Sequence, residues 1–510
     1  MFRGKNLRVA QALLIVAPAF IIFGYNQSGL GPLATLQSWV EVFPEIDTIN
    51  TTGAVKSTNS TAKGAVIASF QLGALIGALS CTGLGDRLGR RWTIFLGGVL
   101  TVIGQVLQVA AFGLPQFVVG RVILGLGVGQ LSVAVPVWQS ECTSAKHRGQ
   151  HVIVDGICIC LGYALCNWID FGLSKIDGSL QWRLPLVVSF LFSIILLASV
   201  FLLPESPRWL MTVGRVEAAT RSLAAYKGLS DDDEAVRAEI SGIETSLEVS
   251  VDSASLFDLF NPNKVDDERL LYRFCICISL QFFQQMCGGN LISTYVSTIF
   301  EENLHMTSDL SRILASCAMT WKFMCSFIAF FAIDRLGRRK IFMISGAGMS
   351  VCMMVLAITT SFGDNHTASV VSAVFIFLFN SFYPVGFLRR KLPLLHRSRA
   401  YASSRRYVRP NHWLWNFVVV MITPVALDSI GYQYYIMYAV ISACIPFVVY
   451  FFYPETMNRN LEALNHVFRD APTPWSIVSM ARHLPQGEAA EVDVWMKTEE
   501  KAGVEQKEDI

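Results

Sequence analysis

The sequence predicts an all-α membrane protein in which twelve transmembrane helices form two six-helix pseudo-repeats. Of its 510 residues, 53% are hydrophobic and 16% are charged, and the mean hydropathy is +0.45. Soluble domains carry about 25% charged residues, so this composition is typical of a membrane protein. Two further observations support the prediction: the number of long apolar stretches, and motifs that occur once in each half of the chain.

A helix needs roughly 20 mostly apolar residues to cross the hydrocarbon core of a bilayer. Twelve stretches meet this need; they lie near residues 11–31, 64–84, 93–113, 116–138, 152–172, 183–203, 273–299, 313–333, 341–361, 368–388, 414–430 and 433–453. A polar segment with an acidic run from Asp231 to Glu234 separates the sixth stretch from the seventh. The predicted domains are an N-terminal six-helix bundle (1–204), a cytosolic helical linker (205–270), a C-terminal six-helix bundle (271–465) and a disordered cytosolic tail (466–510).

Basic residues and sequons predict the orientation of the chain. Lys and Arg cluster in alternate short loops, at 87–91, 146–148 and 335–340, and such loops stay on the cytosolic side. Both termini are therefore expected inside the cell. The sequons at Asn50, Asn59 and Asn365 fall outside under this topology, so we predict them as N-glycosylation sites.

Two motifs each occur twice in the chain, and the two copies are about 250 residues apart in both cases. GDRLGRR from Gly85 returns as IDRLGRRK from Ile333, which places Asp86 and Asp334 248 residues apart, and PESPRW from Pro204 returns 250 residues later as PETMNR from Pro454. Unrelated motifs that share an offset indicate a duplicated six-helix unit. In transporters built from parallel repeats, the solute site lies between the halves near the middle of the membrane.

Further motifs extend this pattern along the chain: GRVILGLGVG from Gly120, PVWQSE from Pro136, QQMCGGN from Gln284 and PETMNRNLE from Pro454. In content and order the motifs resemble the sugar transporter family of the major facilitator superfamily, and most closely its fungal monosaccharide transporters, over roughly residues 10–465. The resemblance implies the major facilitator fold, alternating access and facilitative transport of a hexose-like monosaccharide across the plasma membrane. It implies no catalytic residue, cofactor or metal site.

The expected partners are a small-molecule sugar and membrane lipid. A net charge of +2 is too small for a nucleic-acid partner, because phosphate binding needs a concentrated basic face.

The resemblance also implies a cytosolic gate made of charged residues at the helix ends. Its predicted members are Asp86, Arg90, Arg91, Glu141, Arg148, Glu205, Arg208, Asp334, Arg338, Arg339 and Glu455. One partly exposed ion pair contributes only about 1 kcal/mol. A network of several such pairs is enough to bias two nearly balanced conformations.

Sugar hydroxyls are best matched by neutral amides, which both donate and accept hydrogen bonds, and by aromatic faces. The amides inside the seventh span are Gln284, Gln285 and Asn290, and a break at Gly288-Gly289 would turn them toward one site. The resemblance assigns them to sugar binding, although the residues alone allow a plain helix-to-helix hydrogen bond. It also assigns Trp413 and Asn416 to the sugar, with Tyr295 as a weaker candidate.

Proton coupling depends on a titratable group within the spans. Proton-coupled members of the family carry an aspartate where this chain has Asn26, and an amide cannot exchange a proton, so uniport is favoured. Asp155, Asp170 and Lys322 are the remaining candidates for a coupling proton. Gly156 stands where the family has a sugar-contacting glutamine, which leaves the solute open.

Two sets of alternatives remain open at this stage. Within the same fold, the chain could carry a polyol, a disaccharide or quinate, or act as a proton symporter. From a different class, it could be a non-transporting nutrient sensor or a defective transporter copy. Only 49 residues follow Leu461, which argues against the long cytosolic tail of a sensor.

Residues 389–410 depart from the family pattern. This segment contains eight Lys or Arg residues and no acid, although each Arg at a membrane centre costs about 2.5 to 3.5 kcal/mol even on insertion scales. The internal repeat predicts a carboxylate near position 390 to match Glu141. Codons for the segment can be chosen so that the frame one base later encodes an apolar helix end followed by an acid. The alternative is a natural cytosolic basic loop.

We predict that the transcript across codons 389–410 contains a missed splice boundary or a one-base shift. Sequencing of the transcript checks this, and the corrected frame is expected to encode an apolar helix end followed by a carboxylate within this segment. An unbroken frame that encodes the basic run would refute the prediction and favour the basic loop.

Overall fold

A computed structural model describes residues 3–143, 148–248, 269–363, 365–387, 401–455, 467–469, 471, 473 and 475–483. Across these ranges every regular element is a helix. The first half contains spans 1 to 6, which cover Gly4–Leu33, Gly53–Leu88, Arg90–Val109, Leu114–Glu141, Arg148–Leu173 and Leu180–Ser199. Span 1 includes a π-helical turn at Ala12–Val16.

The second half repeats this order. Span 7 consists of two helices, Leu270–Met286 and Gly289–Thr298, and spans 8 to 12 cover Ser308–Leu336, Arg338–Thr360, His366–Phe387, Tyr401–Ser429 and Gln433–Phe452. All twelve predicted spans therefore correspond to helices, which confirms the predicted fold class.

Nine helices within the described ranges are both long and apolar enough to cross a membrane: spans 1 to 6, 9, 10 and 12. The other three spans carry the features that set the second half apart. Span 7 is divided into helices of 17 and 10 residues, span 8 contains Lys322, and span 11 begins in the basic segment.

Span 11 is longer than predicted at its cytosolic end. Its 29 residues, Tyr401–Ser429, extend for about 43 Å at 1.5 Å per residue, whereas a hydrocarbon core is about 30 Å thick. The basic first turns can therefore project beyond the membrane on the cytosolic side, while the apolar remainder crosses it. Residues 388–400, which include the first part of the atypical segment, lie outside the described residues.

Three helices follow span 6, at Pro207–Thr212, Val216–Lys227 and Glu234–Glu248. They pack around a small apolar core of their own, which includes Leu210, Leu223 and Val236. The domain boundaries predicted from the sequence stay a prediction.

Part of the tail that was expected to be disordered is helical, at Ser476–His483. The ring of Trp475 lies 4.8 Å from that of Phe452 in span 12, and the Arg273 guanidinium covers the Phe468 ring at 4.2 Å. These contacts hold the start of the tail against the second half. Residues 484–510 lie outside the described part of the chain.

The three predicted glycosylation sites differ in accessibility. Asn50 and Asn365 are exposed, and Asn365 precedes span 10, where its side chain accepts a hydrogen bond from the Thr367 N–H. Asn59 is 9% exposed within span 2, and its amide nitrogen donates to the Asp47 carbonyl at 2.8 Å. Because that nitrogen is the atom a glycan would modify, the structure disfavours glycosylation at Asn59.

Candidate functional site

Span 7 breaks in the middle of the QQMCGGN motif. Gly288 has a φ of +88°, a conformation that only glycine adopts readily, and it separates Leu270–Met286 from Gly289–Thr298. A Cβ at Gly289 would lie 2.0 Å from the Tyr383 ring of span 10. The two glycines thus allow the backbone to turn where it packs closely against span 10, as the sequence predicted.

The break aligns buried polar side chains in a hydrogen-bonded chain, here called the amide relay: His412, Gln285, Asn290 and Gln27. Gln285 is hydrogen-bonded to the His412 ring on one side and to Asn290 on the other. Asn290 then accepts a hydrogen bond of 3.0 Å from Gln27. All four side chains are buried. The relay crosses from span 11 through span 7 to span 1, and so joins the two halves of the protein.

Sequence reasoning found Gln285 and Asn290 but missed Gln27 and His412. Gln27 is a polar residue inside an apolar span, and His412 immediately precedes the predicted eleventh span next to Trp413; these are the signals that could have identified them. Their meeting depends on which faces of spans 1, 7 and 11 are in contact. A single sequence does not encode those faces directly.

Trp413 and Asn416 lie in span 11 beside the relay residue His412. The Trp413 indole is packed between rings of the first half, 4.9 Å from Phe23 and 6.0 Å from Phe70, and its N–H donates to Ser132 at 3.3 Å. Asn416 is fully buried, and neither its amide oxygen nor its amide nitrogen has a hydrogen-bond partner. Most buried polar atoms are satisfied, so Asn416 is a strong candidate for a group that binds a polar solute.

Span 10 carries a second amide of this kind that the sequence analysis missed. Asn380 is fully buried, and both of its amide atoms are also without a hydrogen-bond partner. It precedes Tyr383 by three residues on the same helix, and side chains at this spacing share a helix face. The ring of Tyr383 covers the span 7 break at Gly289.

Two predicted solute ligands contact the protein backbone instead of the relay. Gln284 donates to the Phe387 carbonyl at the end of span 10, at 3.1 Å. The Tyr295 hydroxyl donates to the Val420 carbonyl at 2.8 Å and thereby ties span 7 to span 11.

The candidate coupling residues occupy different places. Asn26 donates to the Ile22 carbonyl within span 1 at 2.9 Å. The Lys322 ammonium is hydrogen-bonded to the Ser293 hydroxyl and lies over the rings of Tyr163 and Tyr383, at 4.8 and 4.7 Å. Asp155 is buried near the cytosolic end of span 5. Lys322 thus bridges span 5 of the first half and span 10 of the second.

The outer side of the protein is closed by contacts between the halves. They comprise the hydrogen bonds Ser28–Ser293 (3.0 Å), Arg312–Thr35 (2.9 Å) and Trp168–Thr320 (2.8 Å), and the ion pairs Lys63–Glu302 (3.4 Å), Lys56–Asp428 (3.5 Å) and Lys175–Asp309 (2.5 Å). Among the described residues, most of the hydrogen bonds and ion pairs that join the halves lie from the middle of the membrane outward, and the Trp413–Ser132 hydrogen bond lies toward the cytosolic side.

The backbones of the two halves also approach each other closely on this side. A Cβ at Gly31 of span 1 would lie 2.0 Å from the Thr294 carbonyl oxygen of span 7. A Cβ at Gly64 of span 2 would lie 2.4 Å from the Met421 carbonyl oxygen of span 11. Small residues are the usual means of close helix packing in membranes, and here they close the outer side.

At the cytosolic ends of the first half, the predicted gate residues form one cluster. Arg90 binds both carboxylate oxygens of Glu141 at 2.9 Å and also Asp86 at 3.3 Å. Glu141 accepts a further hydrogen bond of 2.8 Å from the Ser206 hydroxyl. A bidentate guanidinium–carboxylate pair is among the stronger and more directional polar contacts. This cluster holds the ends of spans 2, 3 and 4 together with the start of the linker.

Glu205 anchors the beginning of span 3. Its carboxylate accepts hydrogen bonds from the backbone N–H groups of Arg90 and Arg91, at 3.2 and 3.1 Å. Burial raises the pKa of this carboxyl. The hydrogen bonds that it accepts from backbone N–H groups lower the pKa, but burial has the larger effect, so the pKa remains above its usual value. A carboxylate at a helix N-terminus is also favoured by the helix dipole.

The second half repeats this anchor. Glu455 accepts a hydrogen bond from the Arg339 N–H at 3.1 Å. The side chain of Arg339 donates to the Tyr450 carbonyl and lies over the Tyr450 ring, as Arg91 donates to the Phe201 carbonyl and lies over its ring. Each second-half residue follows its counterpart by 248 to 250 positions. The duplication inferred from the sequence is therefore visible in side-chain contacts.

The remaining predicted gate residues lie at the ends of helices. Arg208 is in the helix Pro207–Thr212, and Arg338 begins span 9 next to Arg339. Arg148 begins span 5 and Asp334 lies in the last turn of span 8, but both side chains are outside the described residues.

Comparison with known proteins gives a consistent picture. The family model of the sugar (and other) transporters matches residues 12–468. The chain is 32% identical over 504 residues to the sugar transporter STL1 of Saccharomyces cerevisiae. This alignment covers 96% of this chain and 86% of the yeast protein. It is 29% identical to hexose transporter 2 of Kluyveromyces lactis, over 93% of this chain and 85% of that one.

Solved structures show the same fold. The E. coli xylose transporter XylE in a partially occluded inward open conformation superposes with a TM-score of 0.73 at 20% identity, over 89% of this chain and 100% of that one. The XylE structure with bound 6-bromo-6-deoxy-D-glucose gives a TM-score of 0.75 at 20% identity, over 90% and 99% of the two chains. With the family match across nearly its whole length, this chain is a multi-pass membrane protein that belongs to the sugar transporter family of the major facilitator superfamily.

Proposed function

We propose that this protein carries a hexose-like monosaccharide across the plasma membrane by alternating access. The observation that carries the proposal is the amide relay at the contact between the two halves, together with the unsatisfied amide of Asn416. The names of the yeast relatives, a sugar transporter and a hexose transporter, support the same class of solute.

The chemistry of these side chains suits a polyhydroxylated, uncharged solute. Each amide offers donors and acceptors at once, as a sugar hydroxyl does. An unsatisfied buried polar group costs about 1 to 3 kcal/mol. A solute that satisfies the Asn416 amide removes this cost and so gains affinity. The Trp413 indole supplies an apolar face for the C–H groups of a sugar ring.

Binding at the relay also affects the conformation. The hydrogen bond from Gln27 to Asn290 joins the two halves, so a solute that takes over either amide weakens a contact that closes the outer side. A ligand shifts a conformational equilibrium by its difference in affinity for the two states. The relay thus links occupancy of the site to opening.

Within this proposal, the bundles 1–204 and 271–465 move relative to each other and the segment 205–270 connects them. The Arg90–Glu141 cluster and the Glu455 anchor hold the cytosolic helix ends inside each bundle. The bundles can therefore rock without losing these contacts, while the contacts of the outer side break and form again.

Uptake of labelled D-glucose, D-fructose and polyols in a yeast strain without its own hexose carriers tests the proposal. We expect saturable hexose uptake by the version with the restored frame, and weak or no uptake by the chain as written. Uptake of a polyol but not of any hexose would reassign the solute within the fold. No uptake by either version would contradict the proposal and favour a sensor or a defective copy.

The Asn416→Ala variant separates solute binding from stability. Because the Asn416 amide has no partner in the protein, its removal is expected to leave the melting temperature unchanged or higher, while the KM for uptake rises about tenfold, the loss of one hydrogen bond of about 1.4 kcal/mol.

The matched control is Asn167→Ala. Asn167 is also a buried amide, but its nitrogen donates to Ser28 at 3.0 Å and to the Tyr163 carbonyl at 2.9 Å. This variant is expected to lower the melting temperature. If Asn416→Ala lowered stability as much as Asn167→Ala and left KM unchanged, the assignment of Asn416 to the solute would be wrong.

A further inference from the structure

Span 5 carries a buried carboxylate that the proposed transport cycle does not use. Asp170 is 1% exposed. One of its oxygens accepts a hydrogen bond of 3.5 Å from the Cys166 thiol, and the other, Oδ1, has no hydrogen-bond partner. An ionised carboxylate is costly in a membrane interior and marks functional sites there. The groups that face Asp170 therefore decide its role.

Span 4 of the same half carries a buried cation whose partners are uncharged. Arg121 is 2% exposed, donates to the carbonyls of Asn26 (3.2 Å) and Ile67 (3.0 Å), and lies over the Phe70 ring at 5.0 Å. Its Nε has no hydrogen-bond partner. Within the part of the chain that the structure describes, Arg121 takes part in no ion pair. Neutral contacts of this kind leave a guanidinium able to bind an anionic oxygen.

Asp170 and Arg121 line one cavity. The cavity has a volume of about 10 Å³, and Tyr25 and Asn26 of span 1 also line it. About 10 to 15 Å³ is enough for one water molecule, provided that polar groups surround it. A carboxylate, a guanidinium and a water-sized space thus occur together inside the first half. Asn26, whose carbonyl accepts the hydrogen bond from Arg121, borders the same space.

A second cation reaches Asp170 from the other half. Arg312 of span 8 is buried and interacts electrostatically with the Asp170 carboxylate, and also with Glu301 and Asp309. It donates to Thr35 of span 1 at 2.9 Å, which is one of the contacts that close the outer side.

The other titratable groups near Asp170 are Cys166 on its own span and the Tyr25 hydroxyl, which donates to the Pro185 carbonyl at 2.7 Å. The residues of span 6 that line the cavity, Pro185 and Leu186, carry no charge.

We propose that Asp170 binds and releases the proton that accompanies the solute, with Arg121 and Arg312 as its charge partners. This inference rests on the proposed transport function and adds the coupling ion to it. Asp170 takes up a proton from the outer solution when the outer side is open, and releases it to the cytosol after the outer side has closed. The step moves one proton and forms or breaks no other covalent bond.

Coupling follows from the placement of the two cations. Arg121 belongs to the same bundle as Asp170 and stays beside it, whereas Arg312 belongs to the other bundle and departs when the outer side opens. The proton occupancy of Asp170 therefore differs between the two conformations. By linkage, a proton on Asp170 changes the balance between those conformations by the same free energy. Asn26 alone favours uniport, and Asp170 supplies the carboxylate that Asn26 lacks.

The first test needs no solute. Infrared difference spectra of the purified protein, recorded between acidic and alkaline buffer, report protonation of buried carboxylic acids. We expect a carboxylic acid band that disappears in Asp170→Asn, shifts in Asp170→Glu and remains in Asp155→Asn, the matched change at another buried carboxylate of span 5. A spectrum that is identical in wild type and Asp170→Asn would overturn the proposal.

The second test measures coupling with D-glucose as the probe. The version with the restored frame, in which all variants of this test are made, is expected to make the yeast medium alkaline on addition of glucose and to accumulate glucose above its outside concentration. Asp170→Asn is expected to abolish both effects and bring the accumulation ratio to one, while exchange of labelled for unlabelled glucose continues. Asp170→Glu is expected to retain coupling, because it keeps a carboxylate at this position.

The outcomes distinguish the role of Asp170 from the carrier function. If the restored-frame protein without a further substitution exchanged labelled for unlabelled glucose but moved no protons, the role of Asp170 would be refuted and the carrier function would be retained. Loss of coupling in Asp155→Asn but not in Asp170→Asn would also refute it. No exchange in any variant would refute the carrier function itself, and the infrared test would still decide whether Asp170 binds a proton.

Discussion

The hydrogen bond from Gln27 to Asn290 joins the two halves of the chain in the middle of the protein, away from water. Most of the other described features depend on this polar contact. It exists because span 7 breaks at Gly288, which turns Asn290 toward Gln285 and toward span 1. A buried amide that loses its partner costs about 1 to 3 kcal/mol, so the halves separate readily only when water or a polar solute replaces the contact. Closure of the outer side and recognition of a solute thus use the same atoms.

The two sides of the membrane differ in the contacts that stabilise the helix ends. On the cytosolic side, Glu205 and Glu455 each anchor the start of a helix within one half, and the Arg90–Glu141 pair adds to the first anchor. On the outer side, the contacts cross between halves; the ion pairs Lys56–Asp428 and Lys175–Asp309 are partly or fully exposed, whereas Lys63, which pairs with Glu302, is buried. Such exposed pairs contribute little individually. Strong contacts within each bundle and weaker contacts between bundles are what a rocking motion of two rigid bodies requires.

Much of this could be predicted from the sequence. The twelve spans follow from apolar length, the duplication follows from the offset between Asp86 and Asp334, and the break in span 7 follows from adjacent glycines. His412 and Gln27 were missed because their role depends on helix faces that meet only in the tertiary structure. The cavity shared by Asp170 and Arg121 was missed for the same reason, since the two residues belong to different spans. Asn59 carries a valid sequon, yet the structure places it in a helix with its amide engaged.

In the proposed transport cycle, the contacts between the halves on the outer side open and close. Distances between spin labels introduced as unnatural amino acids at Ser57 and Ser429 test this most directly, since both positions are exposed and adjoin the ion pair between Lys56 and Asp428. Two distance populations are expected, a short one for the closed outer side and a longer one whose share changes when D-glucose is added. A single short distance that is the same with and without the sugar would show that the outer side does not open during transport.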